Sequence, residues 1–183
     1  MSEPSSELAA KIADAALLHG EFTLRSGLKS TYYLDKYLFS TRPSILEELG
    51  RMFAQRIPQG TNRLAGAELG GIPLVTATSI ESGLPCVFIR NAKKDYGTAK
   101  QLEGVVEKGD RVVVLEDVAT TGGQVLEAVA TLRELGAEVT TVIATIDRLS
   151  GARENIEQAG VAYDTLFTVH DLGIDPATED AKK

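Results

Sequence analysis

A single cysteine, Cys86, is all the thiol chemistry the chain has, so no internal disulfide can form. It lies in the apolar run Pro85 to Ile89, where a buried thiol in a reducing cytoplasm is the expectation. His19 and His170 are the only histidines, too few beside one cysteine for a dedicated zinc site, although a magnesium ion carried in on a phosphate substrate needs few protein ligands. Basic charge is short as well. With 19 Lys and Arg against 26 Asp and Glu, the formal net charge of -7 argues against nucleic acid or an anionic membrane as a partner, since both require a basic footprint. Small anions are not excluded, because a local group of cations is enough to hold one. No apolar stretch nears the length of a membrane span, and Met1 to Glu7 is polar and acidic without a signal-peptide core. A soluble, unexported protein is the expectation.

What is present is globular: 183 residues, 43% hydrophobic and 25% charged, enough to bury one sizeable core and read as one domain over 1–183. Leu8, Ala9, Ile12, Ala15, Ala16 and His19 recur at helical spacing behind Ser5-Ser6, with Gly20 as a stop, which predicts a first helix. The aromatic run Thr31 to Tyr37 predicts a strand, and Thr41-Arg42-Pro43 opens a helix with Ile45, Leu49, Met52 and Phe53 inward that Pro58 ends. Short apolar runs then alternate with helical patterns. Strands are predicted at Arg63 to Ala67, Cys86 to Ile89, Arg111 to Leu115, Val139 to Ile146 and Thr165 to Val169. Between them lie helices from Pro73 to about Ser82, up to Leu135 before Gly136, and around Ala152 to Ala159. This βαβ rhythm implies an α/β fold, parallel strands with helices covering both faces. Residues 91 to 104, with Lys93, Lys94, Lys100 and little apolar periodicity, read as a long loop, and the tail after Ile174 as a frayed polar end.

The most informative stretch runs Val112-Val113-Val114-Leu115-Glu116-Asp117-Val118-Ala119-Thr120-Thr121-Gly122-Gly123-Gln124. Adjacent carboxylates at the carboxyl end of a parallel strand sit where open α/β sheets bind ligands, and they can accept hydrogen bonds from the vicinal hydroxyls of a ribose. Thr120 to Gly123 present hydroxyls and unencumbered backbone N–H groups at a helix N-terminus, a ready cradle for phosphate. Together these suit a ribose 5-phosphate. No lysine of a Walker loop is present, which argues against a nucleoside triphosphatase.

This pattern resembles the signature by which type I phosphoribosyltransferases bind phosphoribosyl pyrophosphate (PRPP). Three further segments resemble the orotate phosphoribosyltransferases in particular, from about Glu21 to Leu172. Phe22 to Tyr33 is similar to that family's N-terminal hood over the base, Arg90 to Gly104 to its catalytic loop, and Asp147-Arg148 to the place of an arginine that contacts orotate. Glu68-Leu69-Gly70-Gly71-Ile72-Pro73 stands where the family holds pyrophosphate on backbone amides. Each segment also suits a plainer reading: an aromatic core strand, with Tyr32 and Tyr33 on opposite faces, a solvated charged loop, an arginine ending a strand, an ordinary helix start.

The resemblance implies a type I phosphoribosyltransferase fold, a mostly parallel central sheet flanked by helices, with a small hood from about 1–40 and a catalytic loop at 91–104. It implies transfer of ribose 5-phosphate from PRPP to orotate in pyrimidine biosynthesis. The catalytic residues it implies are Lys94, Asp117 and Glu116. PRPP would be held by those three with Arg90, Tyr96 and the run Val118 to Gln124, and orotate by Arg25, Tyr33, Thr120 and Arg148. Mg²⁺ would be held mainly through PRPP, with no dedicated metal site, in a cytoplasmic homodimer whose loops cross into neighbouring sites. Four positions depart from many relatives: Arg25, Gly70 and Asn91 stand where those carry lysine, and Tyr96 where they carry histidine. Arg25 keeps the charge, whereas Gly70 and Asn91 lose it, leaving pyrophosphate to Arg90, Lys94, Lys93, backbone amides and magnesium. Alternatives are a phosphoribosyltransferase for another base, against which the hood and Arg148 weigh, a nucleic-acid-binding PRPP sensor, against which the charge weighs, and an inactive paralogue, which Gly70 and Asn91 favour.

Overall fold

The computed structural model describes residues 6–23, 29–91 and 101–175. Helix α1 (Ser6–Ala16) buries Leu8, Ala9, Ile12, Ala15 and Ala16 along one stripe. The helix does not continue to His19 as the spacing predicts. The chain turns at Leu17 into strand β1 (Leu17–Thr23), antiparallel to β2 (Lys29–Leu34), with His19 opposite Tyr32. The cause is tertiary: the backbone N–H of Asp35 donates to the Ala16 carbonyl at 2.9 Å, taking up an acceptor at the helix end. Nor does β2 run to Tyr37. Asp35 caps a short helix, α2 (Lys36–Ser40), its carboxylate accepting from the Tyr37 N–H at 3.1 Å. Helix α3 (Pro43–Arg56) starts on its proline and buries Ile45, Leu49 and Phe53, while Met52 is half-buried against the same core.

The rest of the chain builds a six-stranded sheet. Its elements are β3 (Arg63–Ala67), α4 (Gly71–Ser82), β4 (Cys86–Ile89), β5 (Leu102–Glu103), β6 (Arg111–Ala119), α5 (Gly123–Glu134), β7 (Glu138–Asp147), α6 (Ala152–Gln158) and β8 (Ala162–Thr168), then a 3-10 turn at Val169–Leu172. The spatial order is β5-β4-β3-β6-β7-β8, parallel throughout except for β5 at the edge. β5 corrects the reading of 91–104 as one loop: its far end pairs with Phe88 and Ile89, and residues 92–100 lie outside the described ones. Cys86 is half-buried and not fully enclosed, since it opens β4 directly after a turn.

Side chains of the central strand alternate between two cores. Val113 and Leu115 pack with α1, α3 and α4, and Val112 and Val114 with α5 and α6, so helices cover both faces. β6 continues to Ala119 rather than stopping at Leu115, because β7 supplies ladder partners as far as Asp147. Its two acids therefore lie within the sheet.

Candidate active site

A cavity of about 420 Å³ opens at the carboxyl ends of β6 and β7, where an open parallel sheet offers a crevice. Three parts of the chain meet there. β6 and the turn after it contribute Glu116 and the run Val118 to Val125, the segment after β7 contributes Arg148, and the end of β2 with the start of α2 contributes Tyr33, Leu34 and Lys36.

The turn between β6 and α5 is shaped for close approach by an anion. Gly122 has φ 78°, a left-handed conformation that favours glycine, and it delivers the chain into α5 with no side chain capping the helix. The amides of the first turn of α5 thus face the cavity beside Thr120 and Thr121, an arrangement suited to phosphate. Asn155 of α6 donates its side-chain amide to the Thr121 carbonyl at 2.8 Å and anchors the turn from outside. Gln124, on the first turn of α5, donates to the Glu68 carbonyl at 3.2 Å and to Asn91 Oδ1 at 3.1 Å, while the Asn91 N–H donates to Glu68 Oε1 at 2.6 Å. The Glu68–Pro73 segment is thereby tied to the Thr120–Gly123 turn.

Of the acids expected to act together, one lines the cavity. Glu116 does so while only 7% exposed; burial above all, and then the charge of Asp117, push its pKa up to about 8 from the ordinary 4.5, against the opposing pull of Lys36. Asp117, 2% exposed, is not among the lining residues, but its carboxyl is within hydrogen-bond reach of that of Glu116. Lys36 Nζ stands 2.9 Å from its Oδ2 and 3.2 Å from its Oδ1, and the Val118 N–H donates to Oδ1 at 2.6 Å. Its Oδ2 fills the space that a side chain at Gly70 would take: a Cβ there would lie 1.5 Å from that oxygen. Burial disfavours the Lys36 ammonium, but the adjoining Asp117 carboxylate outweighs it and the lysine's pKa lies above its ordinary value.

Tyr33, Thr120 and Arg148 of the expected orotate set come together on the cavity wall, and Arg148 is fixed at its backbone by an N–H to Ala119 carbonyl bond of 2.9 Å. Phe22 stacks at a tilt on Tyr33 with ring centroids 5.7 Å apart. Arg90 does not line the cavity. Its N–H donates to the Gln101 carbonyl at 2.8 Å, its guanidinium lies 3.8 Å from Glu103, and its Nε is buried without a hydrogen-bond partner among the described residues. Arg25, Lys94 and Tyr96 lie outside the described residues. Among the described residues no three His, Cys, Asp or Glu side chains gather to hold a metal ion, and no helix is long and apolar enough to cross a membrane. Sequence reasoning missed Lys36 and Asn155. An Asp-Lys pair directly after an alternating aromatic strand was the available sign of the first; Asn155 carries none.

Comparison with known proteins agrees with this geometry. A model of the phosphoribosyl transferase domain matches residues 40–163. The orotate phosphoribosyltransferase of Methanocella arvoryzae is 49% identical over 86% of this chain and 90% of the relative. That of Natronomonas pharaonis is 47% identical over 91% and 95%. The crystal structure of Mycobacterium tuberculosis orotate phosphoribosyltransferase with Fe(III) dicitrate superposes with a TM-score of 0.85 at 31% identity, covering 92% of this chain and 98% of that one. The same enzyme in complex with PRPP superposes with a TM-score of 0.77.

Proposed function

Since the chain belongs to the phosphoribosyltransferase family, and within it to the orotate phosphoribosyltransferases with their type I fold, we infer that it transfers ribose 5-phosphate from PRPP to orotate. The products are orotidine 5′-phosphate and pyrophosphate, in the formation of pyrimidine nucleotides. The observation that carries the reading is the cavity itself, in which an uncapped helix start, a buried acid and an arginine beside an aromatic ring converge on one space.

Each group has a task set by its chemistry. The amides of the first α5 turn, with the Thr120 and Thr121 hydroxyls, hold the 5-phosphate. In its ionised form Glu116 accepts hydrogen bonds from the ribose hydroxyls and places negative potential near the anomeric carbon as its bond to pyrophosphate stretches and the ring gains oxocarbenium character. Asp117 beside it raises the pKa of that acid by its charge and by a hydrogen bond. Arg148 pairs with the orotate carboxylate, and Tyr33 covers the base. Orotate is already a delocalised anion when it attacks the face opposite the leaving group, so no strong general base is needed. Arg90, Lys94 and Tyr96 serve the pyrophosphate, and Arg25 the base. Mg²⁺ brought in by the substrate would rest mainly on oxygens of PRPP and would add positive charge to the leaving group.

We read residues 1–183 as one catalytic domain, working in the cytoplasm as a homodimer in which Lys94 of one subunit serves the site of the other. The test is a spectrophotometric assay with orotate, PRPP and Mg²⁺. Loss of orotate absorbance is expected, with adenine, hypoxanthine and uracil inert. Turnover of one of those bases in place of orotate would overturn the reading.

A further inference from the structure

Arg148 is the first residue past β7, and the backbone on both sides of it is held. Its own N–H donates to the carbonyl of Ala119, the last residue of β6, at 2.9 Å, and the N–H of Leu149 after it donates to Asp147 Oδ1 at 2.8 Å. Leu149 has φ 57°, the one residue other than glycine in the left-handed region among the described residues, where a β-carbon crowds the following carbonyl. Its side chain is 48% exposed, so packing does not impose that conformation. The bond from Asp147 does, since a carboxyl that reaches the N–H two residues on closes the chain into a tight turn. Asp147 can hold the turn because it is itself fixed. It is buried, it ends β7 in register with Ala119 on β6 and Thr168 on β8, and it does not line the cavity. Its neighbour is Tyr163 of β8, whose pKa burial first, and then the Asp147 charge, push above the ordinary value, so that the hydroxyl stays protonated beside the carboxyl.

We propose that Asp147 is a positioning residue for the base: by holding Leu149 in the left-handed conformation it turns the chain out of the sheet directly after Arg148, and so aims that guanidinium into the cavity. The proposal rests on the reading of Arg148 as the partner of the orotate carboxylate. A slack turn would keep the arginine but let it point elsewhere, which weakens the hold on the base and leaves PRPP on its own groups across the cavity.

Three variants separate aiming from folding. Asp147→Ala removes the acceptor, and KM for orotate should rise about tenfold, the effect of losing one strong hydrogen bond, with KM for PRPP within about twofold of the parent. Asp147→Asn keeps an oxygen for the Leu149 N–H, and the Tyr163 hydroxyl can accept from the new amide, so both KM values should stay within about threefold of the parent. Leu149→Pro withdraws the N–H and forbids a positive φ at a half-exposed position without touching the core, and it should give the same split between the substrates even if Asp147→Ala fails to fold. A purely structural Asp147 would lower Tm and raise both KM values together, with no rescue by Asn. That pattern overturns the proposal, as does a KM for orotate left unmoved by Leu149→Pro. Amide hydrogen exchange without substrate keeps the two readings apart: exchange at Leu149 should be about tenfold faster in Asp147→Ala than in the parent or in Asp147→Asn. If that acceleration appears while Arg148→Ala leaves KM for orotate alone, the assignment of Arg148 fails and the turn stands; if the acceleration is missing, the turn fails.

Discussion

The side-chain amide of Asn155 reaches the carbonyl of Thr121 at 2.8 Å and braces the turn after β6 from α6. Nothing in the reaction touches Asn155, yet the turn it braces presents the helix amides. Asn155→Ala should therefore raise KM for PRPP by roughly fivefold, the effect of one neutral hydrogen bond of about 1 kcal/mol, with little change in KM for orotate. Steady-state kinetics with each substrate varied in turn decides it, and equal effects on the two would remove the bracing role.

Arg148→Ala should do the reverse. A charge-assisted contact contributes about 2 kcal/mol, so KM for orotate should rise roughly 30-fold while KM for PRPP stays within a few fold. Calorimetric binding of PRPP that weakens as much as that of orotate would place Arg148 at the wrong substrate.

Glu116 predicts a slope of stability with pH. The folded protein keeps its proton to about pH 8, whereas an ordinary glutamate releases it near 4.5. The folded state thus binds more protons between those values, and the stability contributed is whole below 4.5 and lost as pH rises through 8. Tm should fall over that window in the parent protein and fall less in Glu116→Gln. Parallel melting curves for the two would show that the acid is ionised throughout.

Chelation addresses the metal. With Mg²⁺ resting on substrate oxygens, excess EDTA should abolish turnover without lowering Tm, because the ion would arrive with the substrate. Undiminished turnover in EDTA would contradict the assignment, and a fall in Tm would point to a structural cation.

Shared sites would appear in mixed dimers. Lys94→Ala and Asp117→Asn homodimers should each be nearly inactive, and mixing them under subunit exchange should restore activity, since one of the two sites in a mixed dimer is free of both lesions. Exchange verified by a tag pull-down without any recovery would confine Lys94 to its own subunit.

What the sequence made legible was local. Strand, acids and glycine turn from Val112 to Gln124 follow one another in the chain, so their chemistry could be read in order, and the alternation of apolar runs with helical patterns revealed the sheet. The errors came where a distant partner decides. Ala15, Ala16 and His19 fit a helical stripe, but the Asp35 N–H ends that helix at Ala16. Glu116 and Asp117 look like the end of a strand until β7 extends the ladder past them to Ala119. Lys36 belongs to the site through a contact with Asp117, far along the chain, for which no spacing rule exists.

Gly66 on β3 leaves no room for a side chain: a Cβ there would stand 2.4 Å from the Gly71 carbonyl oxygen, a backbone atom that cannot step aside. The niche at Gly70 is closed by a side chain instead, and a side chain can rotate. The two glycines should therefore part company under selection. In a library randomised at both positions, grown without external pyrimidine in a host dependent on this gene, position 66 should return glycine in every survivor. Position 70 should return alanine and serine beside glycine, in clones where the Asp117 carboxyl has turned to make room.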